Sequence, residues 1–197
     1  NPQSDPTRVV LPPALFMHEK EKVHERWPAA VRFIEQNKLN EFFPGDYRQV
    51  GLIMQGGMYN TVMRALERLG IADAYGRTAV PLYVLNVTYP LIESELVRFC
   101  KDKNAVLLVE EGQPDYIEQA INSILRKQSL RARIYGKDVL PAAGEYTGDA
   151  MLQGLREFFK RVAPALLRTG ADPTGALDAL REQTPVKALT TAVPPRP

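Results

Sequence analysis

Cysteine is nearly missing from this 197-residue chain, where Cys100 stands alone. A single thiol closes no intramolecular disulfide and cannot by itself hold a zinc ion or an iron–sulfur cluster. Histidine is almost as scarce. His18 and His24 lie six residues apart, so on a helix they face nearly opposite ways and make no metal pair. Charge bias is missing too, with 25 basic residues against 23 acidic ones and a net charge of +2. That balance carries neither a nucleic-acid footprint nor a polyacidic tail, so no nucleic-acid partner is expected. No apolar run approaches the roughly eighteen residues of a membrane span, and no secretory leader is visible. The expected setting is a reducing cytoplasm, with no membrane partner. No serine or cysteine sits in a nucleophile-elbow context, and Cys100 has no nearby base.

Proline is scarce only in the middle. Six of the 16 prolines precede residue 45, six follow residue 163, and four serve everything between. A proline-poor middle reads as regular structure, and proline-rich ends read as linkers or wrapping arms. The expected organisation is an extended arm over 1–13, a helical lead-in over 14–45, an α/β domain over 46–165 and a proline-rich linker over 166–197. With Asn1 in place of an initiator methionine, the chain is expected to be one domain of a longer polypeptide.

What is present is a repeating strand–loop–helix pattern between Val50 and Glu111. The apolar run Val50-Gly51-Leu52-Ile53-Met54 is too short for a helix and meets Gln55-Gly56-Gly57 at once, which marks a sharp turn. From Met58 to Leu69, Val62, Ala65, Leu66 and Leu69 recur at three- and four-residue spacing, and Gly70 is placed to end that helix. A second strand is expected over 80–87, a helix over 93–101 and a third strand over 105–109. A helix beginning near Pro114 follows, then a short alternating strand over 131–135 and a last helix over 149–162. Near-continuous apolar strands are those of a parallel sheet covered by helices on both faces, so the fold class is α/β. In the lead-in, Phe16, Val23, Trp27, Ala30, Val31 and Ile34 share a helical face. Pro28 should split the run in two and stand in the first turn of the second piece. Glu41 to Asp46 reads as a turn pivoting on Pro44-Gly45. A brief helical phrase is expected over 174–183.

Four groups could carry chemistry. Gly56-Gly57 opens a helix whose first amides favour an anion, but Gly-Gly-Met-Tyr-Asn lacks the later glycines of a dinucleotide fingerprint and the lysine of a phosphate loop. Tyr59 and Asn60 belong to the same phrase. Glu110 and Glu111 end a buried strand, where open sheets place ligand groups. Neighbours on a strand point to opposite faces, so the two carboxylates should not converge. One of them reads as a cap for a nearby helix start or as an acceptor for a basic group on a partner domain. Thr88 and Tyr89, before Pro90, close the second strand at the same edge, where Thr88 is also an ordinary helix cap. Trp27 and Phe42-Phe43 read as core or docking residues. No catalytic set and no metal site emerges.

Three phrases together resemble one family: Gly51-Leu52-Ile53-Met54-Gln55-Gly56-Gly57-Met58-Tyr59-Asn60, Leu85-Asn86-Val87-Thr88-Tyr89-Pro90-Leu91, and Val106-Leu107-Leu108-Val109-Glu110-Glu111-Gly112. They look like the transketolase C-terminal-like domain of indolepyruvate ferredoxin oxidoreductases, within the 2-oxoacid:ferredoxin oxidoreductase superfamily. The likeness covers about residues 11–165. It implies a three-layer α/β/α domain with a mostly parallel sheet of about five strands and one antiparallel edge strand. It also implies a parent enzyme that decarboxylates an aryl pyruvate on thiamine diphosphate with magnesium. That enzyme passes electrons through iron–sulfur clusters to ferredoxin and forms an acyl-CoA. The family's thiamine-binding segments and cluster cysteines lie outside this domain, so no cofactor is expected on this chain. The expected partners are other domains of the same polypeptide, in a dimeric parent. The expected role is structural, with a free-standing nucleotide- or CoA-binding module at Gly56-Gly57 as the alternative.

Overall fold

The computed structural model describes residue 3, residues 11–12 and residues 14–167. The arm over 1–13, the linker over 166–197 and the helical phrase over 174–183 fall mostly or wholly outside these residues. Five strands form one sheet in the order β1-β3-β2-β4-β5: β1 is Glu41–Phe43, β2 Val50–Gln55, β3 Leu82–Leu85, β4 Ala105–Val109 and β5 Arg133–Tyr135. β1 pairs with β3 antiparallel at one edge, and every other pairing is parallel. The architecture is therefore α/β with a single antiparallel edge strand, as the resemblance implies.

The pleat sorts the core. Val50, Leu52 and Met54 of β2, Leu82 and Val84 of β3, and Ala105, Leu107 and Val109 of β4 point to one face. There they meet Val62, Ala65 and Leu66 of α3 (Tyr59–Arg68) and Met151, Leu152, Leu155, Phe158 and Phe159 of α6 (Gly148–Val162). Ile53, Tyr83, Leu85, Val106 and Leu108 point the other way, onto α4 (Glu93–Cys100) and α5 (Tyr116–Lys127). Burying each large apolar side chain contributes about 1.5–3 kcal/mol, so these strands tolerate almost no polar residue. Gly70 at φ 69° ends α3 in the left-handed region that glycine enters without steric cost.

Several local expectations are revised. The anticipated turn at Glu41 to Asp46 contains β1: Phe42 stacks flat on Tyr83 of the neighbouring strand, with centroids 4.4 Å apart and planes 5° apart. Turn residues Pro44-Gly45 hid a strand of three residues, too short to show periodicity. β3 and β5 are shorter than expected, because the pairing ends at Leu85 and begins at Arg133. The lead-in is one helical run, α1 (Ala14–Glu21) passing through a π turn over Lys22–Arg26 into α2 (Trp27–Gln36), and is not split in two. Pro28 has no N–H and crowds the preceding turn; the wider ring closed by Trp27 N–H on Lys22 O accommodates it without a break. Its shared apolar face is not packed on this domain either. Only Ile34 is buried, while Phe16 and Val23 lie open.

Candidate functional site

β2 leads through α3 to β3 on one side, whereas β4 leads through α5 to β5 on the other. The carboxyl ends of β2 and β4 therefore flank a point where chain direction diverges, the place where doubly wound sheets open a ligand crevice. All three quoted phrases end at this edge. The polar groups at this edge are hydrogen-bonded within the chain.

The alternation that sorts the core continues past Val109. Glu110 turns to the α5 face, where its Oε1 accepts from Ile117 N at 2.9 Å and its Oε2 from Glu118 N at 3.0 Å. Asp115, the residue before α5, supplies no side-chain cap, so Glu110 provides it from the strand. A carboxylate on first-turn amides satisfies two orphan donors and complements the helix dipole. Glu111 turns the other way, toward the entry of α6, and its Oε1 accepts from Tyr146 N at 2.6 Å. The Glu111 N–H donates in turn to Gln55 Oε1 at 3.1 Å and laces the ends of β4 and β2 together across the crevice. Lys137 Nζ donates to the Gly112 carbonyl at the same edge. Burial, then the charges of Glu111, Glu110 and Glu118, raise the Tyr146 hydroxyl above its ordinary value. Tyr146 stays a donor to Pro141 O.

On the β2–β3 side, Asn86 Nδ2 donates to Leu39 O at 2.9 Å and to Glu41 Oε1 at 2.8 Å, tying the lead-in to the end of β3. Gly56 is shaped for this: a Cβ there would lie 2.5 Å from Asn86 Oδ1, whereas a Cβ at Gly57 meets nothing within 4 Å. Gly56→Ala should therefore lower stability by roughly 1–3 kcal/mol through overpacking a tethered side chain, while Gly57→Ala should leave the unfolding midpoint in place. Paired urea titrations check this.

Thr88 is exposed and caps no helix, because α4 begins at Glu93 behind Ile92 without a side-chain cap. Tyr89 is also exposed and meets Trp27 edge to face at 5.1 Å. Tyr59 stacks on Phe43 at 5.2 Å, and with Asn60 it opens onto a cleft of about 560 Å³ that Arg64, Arg68, Asp73 and Gly148 also line. Neither Glu110 nor Glu111 lines that cleft.

A buried polar triad escaped the sequence reading. Glu95 Oε2 accepts from Tyr83 Oη at 2.7 Å and from Asn40 Nδ2 at 2.9 Å, and Asn40 Oδ1 accepts from Val87 N at 3.0 Å. Burial, followed by the hydrogen bond and charge of Glu95, raises the Tyr83 hydroxyl far above its ordinary value. Glu95 shares the buried stripe of α4 with Leu96, Phe99 and Cys100, and a carboxylate on an apolar stripe was the available signal. The triad pins the loop before β1 to α4.

Two groups of this chain bear on the cofactors of the resembling family, its one thiol and the amides at the start of α5. An iron–sulfur cluster needs several accessible thiolates. Cys100 is buried, and burial, partly offset by Lys103, pushes its thiol up to about 12. The amides at the start of α5 that a diphosphate would take are held by Glu110.

Fold and edge together define a doubly wound α/β domain whose crevice-edge groups, Glu110, Glu111 and Gln55, are hydrogen-bonded within the chain. The family model of the indolepyruvate oxidoreductase domain matches residues 41–153, and the chain belongs to that family. It is similar to "Indolepyruvate oxidoreductase subunit IorA" of Methanothermobacter thermautotrophicus, 27% identical over 156 residues, which are 78% of this chain and 24% of that protein. The subunit of the same name from Thermococcus kodakarensis is 27% identical over 169 residues, covering 82% of this chain and 24% of the relative. The chain thus spans about a quarter of the length of these relatives. A solved 2-oxoglutarate:ferredoxin oxidoreductase from Magnetococcus marinus, with 2-oxoglutarate, coenzyme A and succinyl-CoA bound, aligns with a TM-score of 0.43 and 19% identity. That alignment covers 79% of this chain and 24% of that one. Among the described residues no helix is long and apolar enough to cross a membrane.

Proposed function

We propose that this chain is a docking domain of an indolepyruvate-type 2-oxoacid oxidoreductase and contributes no catalytic group of its own. One observation carries the reading. The groups at the fold's ligand crevice, Glu110, Glu111 and Gln55, are hydrogen-bonded within the chain. Residues 14–40 then serve as lead-in and 41–165, which include the edge strand β1, as the docking unit, and 166–197 leads toward a following domain. Other segments of a dimeric, cytoplasmic parent bind thiamine diphosphate, magnesium, iron–sulfur clusters and CoA, and meet ferredoxin. Titrating this chain with thiamine diphosphate and magnesium in a calorimeter should give only heat of dilution. Saturable binding overturns the proposal.

One observation favours a second reading, a nucleotide or CoA at the Gly56-Gly57 turn: the first turn of α3 has no side-chain cap and Gly57 faces open space. Its mark is a thermal shift with adenine nucleotides that Gly57→Val abolishes.

A further inference from the structure

A cleft of about 490 Å³ lies where the edge strand β1 meets α4 and the end of α2. Glu95 and Arg98, three residues apart on α4, both line it. At that spacing two helical side chains are neighbours, and opposite charges attract. These two stay apart. Among the described residues the Arg98 guanidinium makes no ion pair or hydrogen bond, and it lies over the Phe42 ring at 4.6 Å from the centroid.

Glu95 is only half committed. It is 7% exposed, and its two partners in the chain, Tyr83 Oη and Asn40 Nδ2, both donate to Oε2. Oε1 accepts from no described residue. Yet no buried side-chain oxygen among the described residues lacks a partner, so Oε1 is reached from the cleft that Glu95 lines. A carboxylate this buried carries a desolvation cost, which a donor on its second oxygen would offset. Phe42, partly exposed, offers apolar surface in the same cleft.

We infer that this cleft binds the zwitterionic head of a free α-amino acid, with its ammonium on Glu95 Oε1 and its carboxylate on Arg98. A simple cation would leave the guanidinium without a counter-charge, and a simple anion would face a buried carboxylate. A ligand that carries both charges a few bonds apart satisfies the two groups together. The volume falls within the roughly 300–1,000 Å³ of ordinary small-molecule sites. The inference is independent of the docking reading, which rests on Glu110, Glu111 and Gln55.

Titrating the 197-residue chain with L-norleucine and following amide chemical shifts tests the assignment. Shifts at residues 40–43 and 94–98 should saturate at roughly millimolar concentrations, as a ligand of this size permits. Pentylammonium lacks only the carboxylate and hexanoate lacks only the ammonium, and each should bind about tenfold more weakly or worse. Glu95→Gln should weaken norleucine by a similar factor. Arg98→Gln should do the same while leaving the bonds among Asn40, Tyr83 and Glu95 in place, which separates loss of the site from loss of the fold. No saturation, shifts centred elsewhere, equal binding of pentylammonium or hexanoate, or unchanged affinity in Arg98→Gln overturns the inference.

Discussion

Glu110→Ala should lower the unfolding free energy by about 3 kcal/mol, read from the urea midpoint at unchanged m-value. The carboxylate is 7% exposed and accepts from two backbone amides, of which Ile117 N is itself buried. Removing it deletes two charge-assisted bonds, each contributing about 1.5–3 kcal/mol, although the amide of Glu118 can recover part of its share from water. Asp115 does not cap α5, so no neighbouring side chain takes over. Glu110→Gln keeps an acceptor oxygen and removes the charge facing the helix dipole, and it should fall between alanine and the wild type. A midpoint unmoved by both changes would mean that the carboxylate does not hold the helix.

The second large effect lies in the triad. Glu95→Ala should lose about 2–4 kcal/mol, because it strips the acceptor from Tyr83 Oη and one acceptor from Asn40 Nδ2 in a buried setting. Tyr83→Phe should lose less, since it removes the donor to Glu95 and a 3.3 Å acceptor of Asn40 Nδ2 but leaves Asn40 bonded to Glu95. The same tyrosine sets an alkaline limit. Its folded-state value is raised above the ordinary value of 10.0, so the unfolded chain releases that proton first as pH climbs. Its stabilising contribution is complete below about pH 10 and falls away above it. Unfolding midpoints from pH 8 to 11 should drop on the alkaline side in the wild type and drop less steeply in Tyr83→Phe, where the raised Cys100 and Tyr146 groups still contribute.

Which parts were legible follows from how local each signal is. β2, β4, α3 and α6 carry long apolar patterns, and the burial of each is decided by its own residues. The opposite facing of Glu110 and Glu111 was legible because the pleat fixes it, and the reading that one of them caps a helix start matches Glu110 at α5. β1 was not legible, since three residues show no period and its partner lies some forty residues away. The Asn40–Tyr83–Glu95 triad spans three elements, so no single window displays it. Thr88 resembled a cap because its residue type suits one, but the helix starts five residues later at Glu93. The lead-in misled in the opposite direction. Its apolar spacing is real, yet only Ile34 finds cover within this domain.

The most direct measurement replaces Glu110 and Glu111 in turn by glutamine in the parent oxidoreductase proposed above and reads kcat per folded protein beside the thermal midpoint. If these carboxylates are internal caps, the midpoint falls and kcat stays within about twofold of the wild type. A kcat lowered a hundredfold or more at an unmoved midpoint would mean that they serve the reaction.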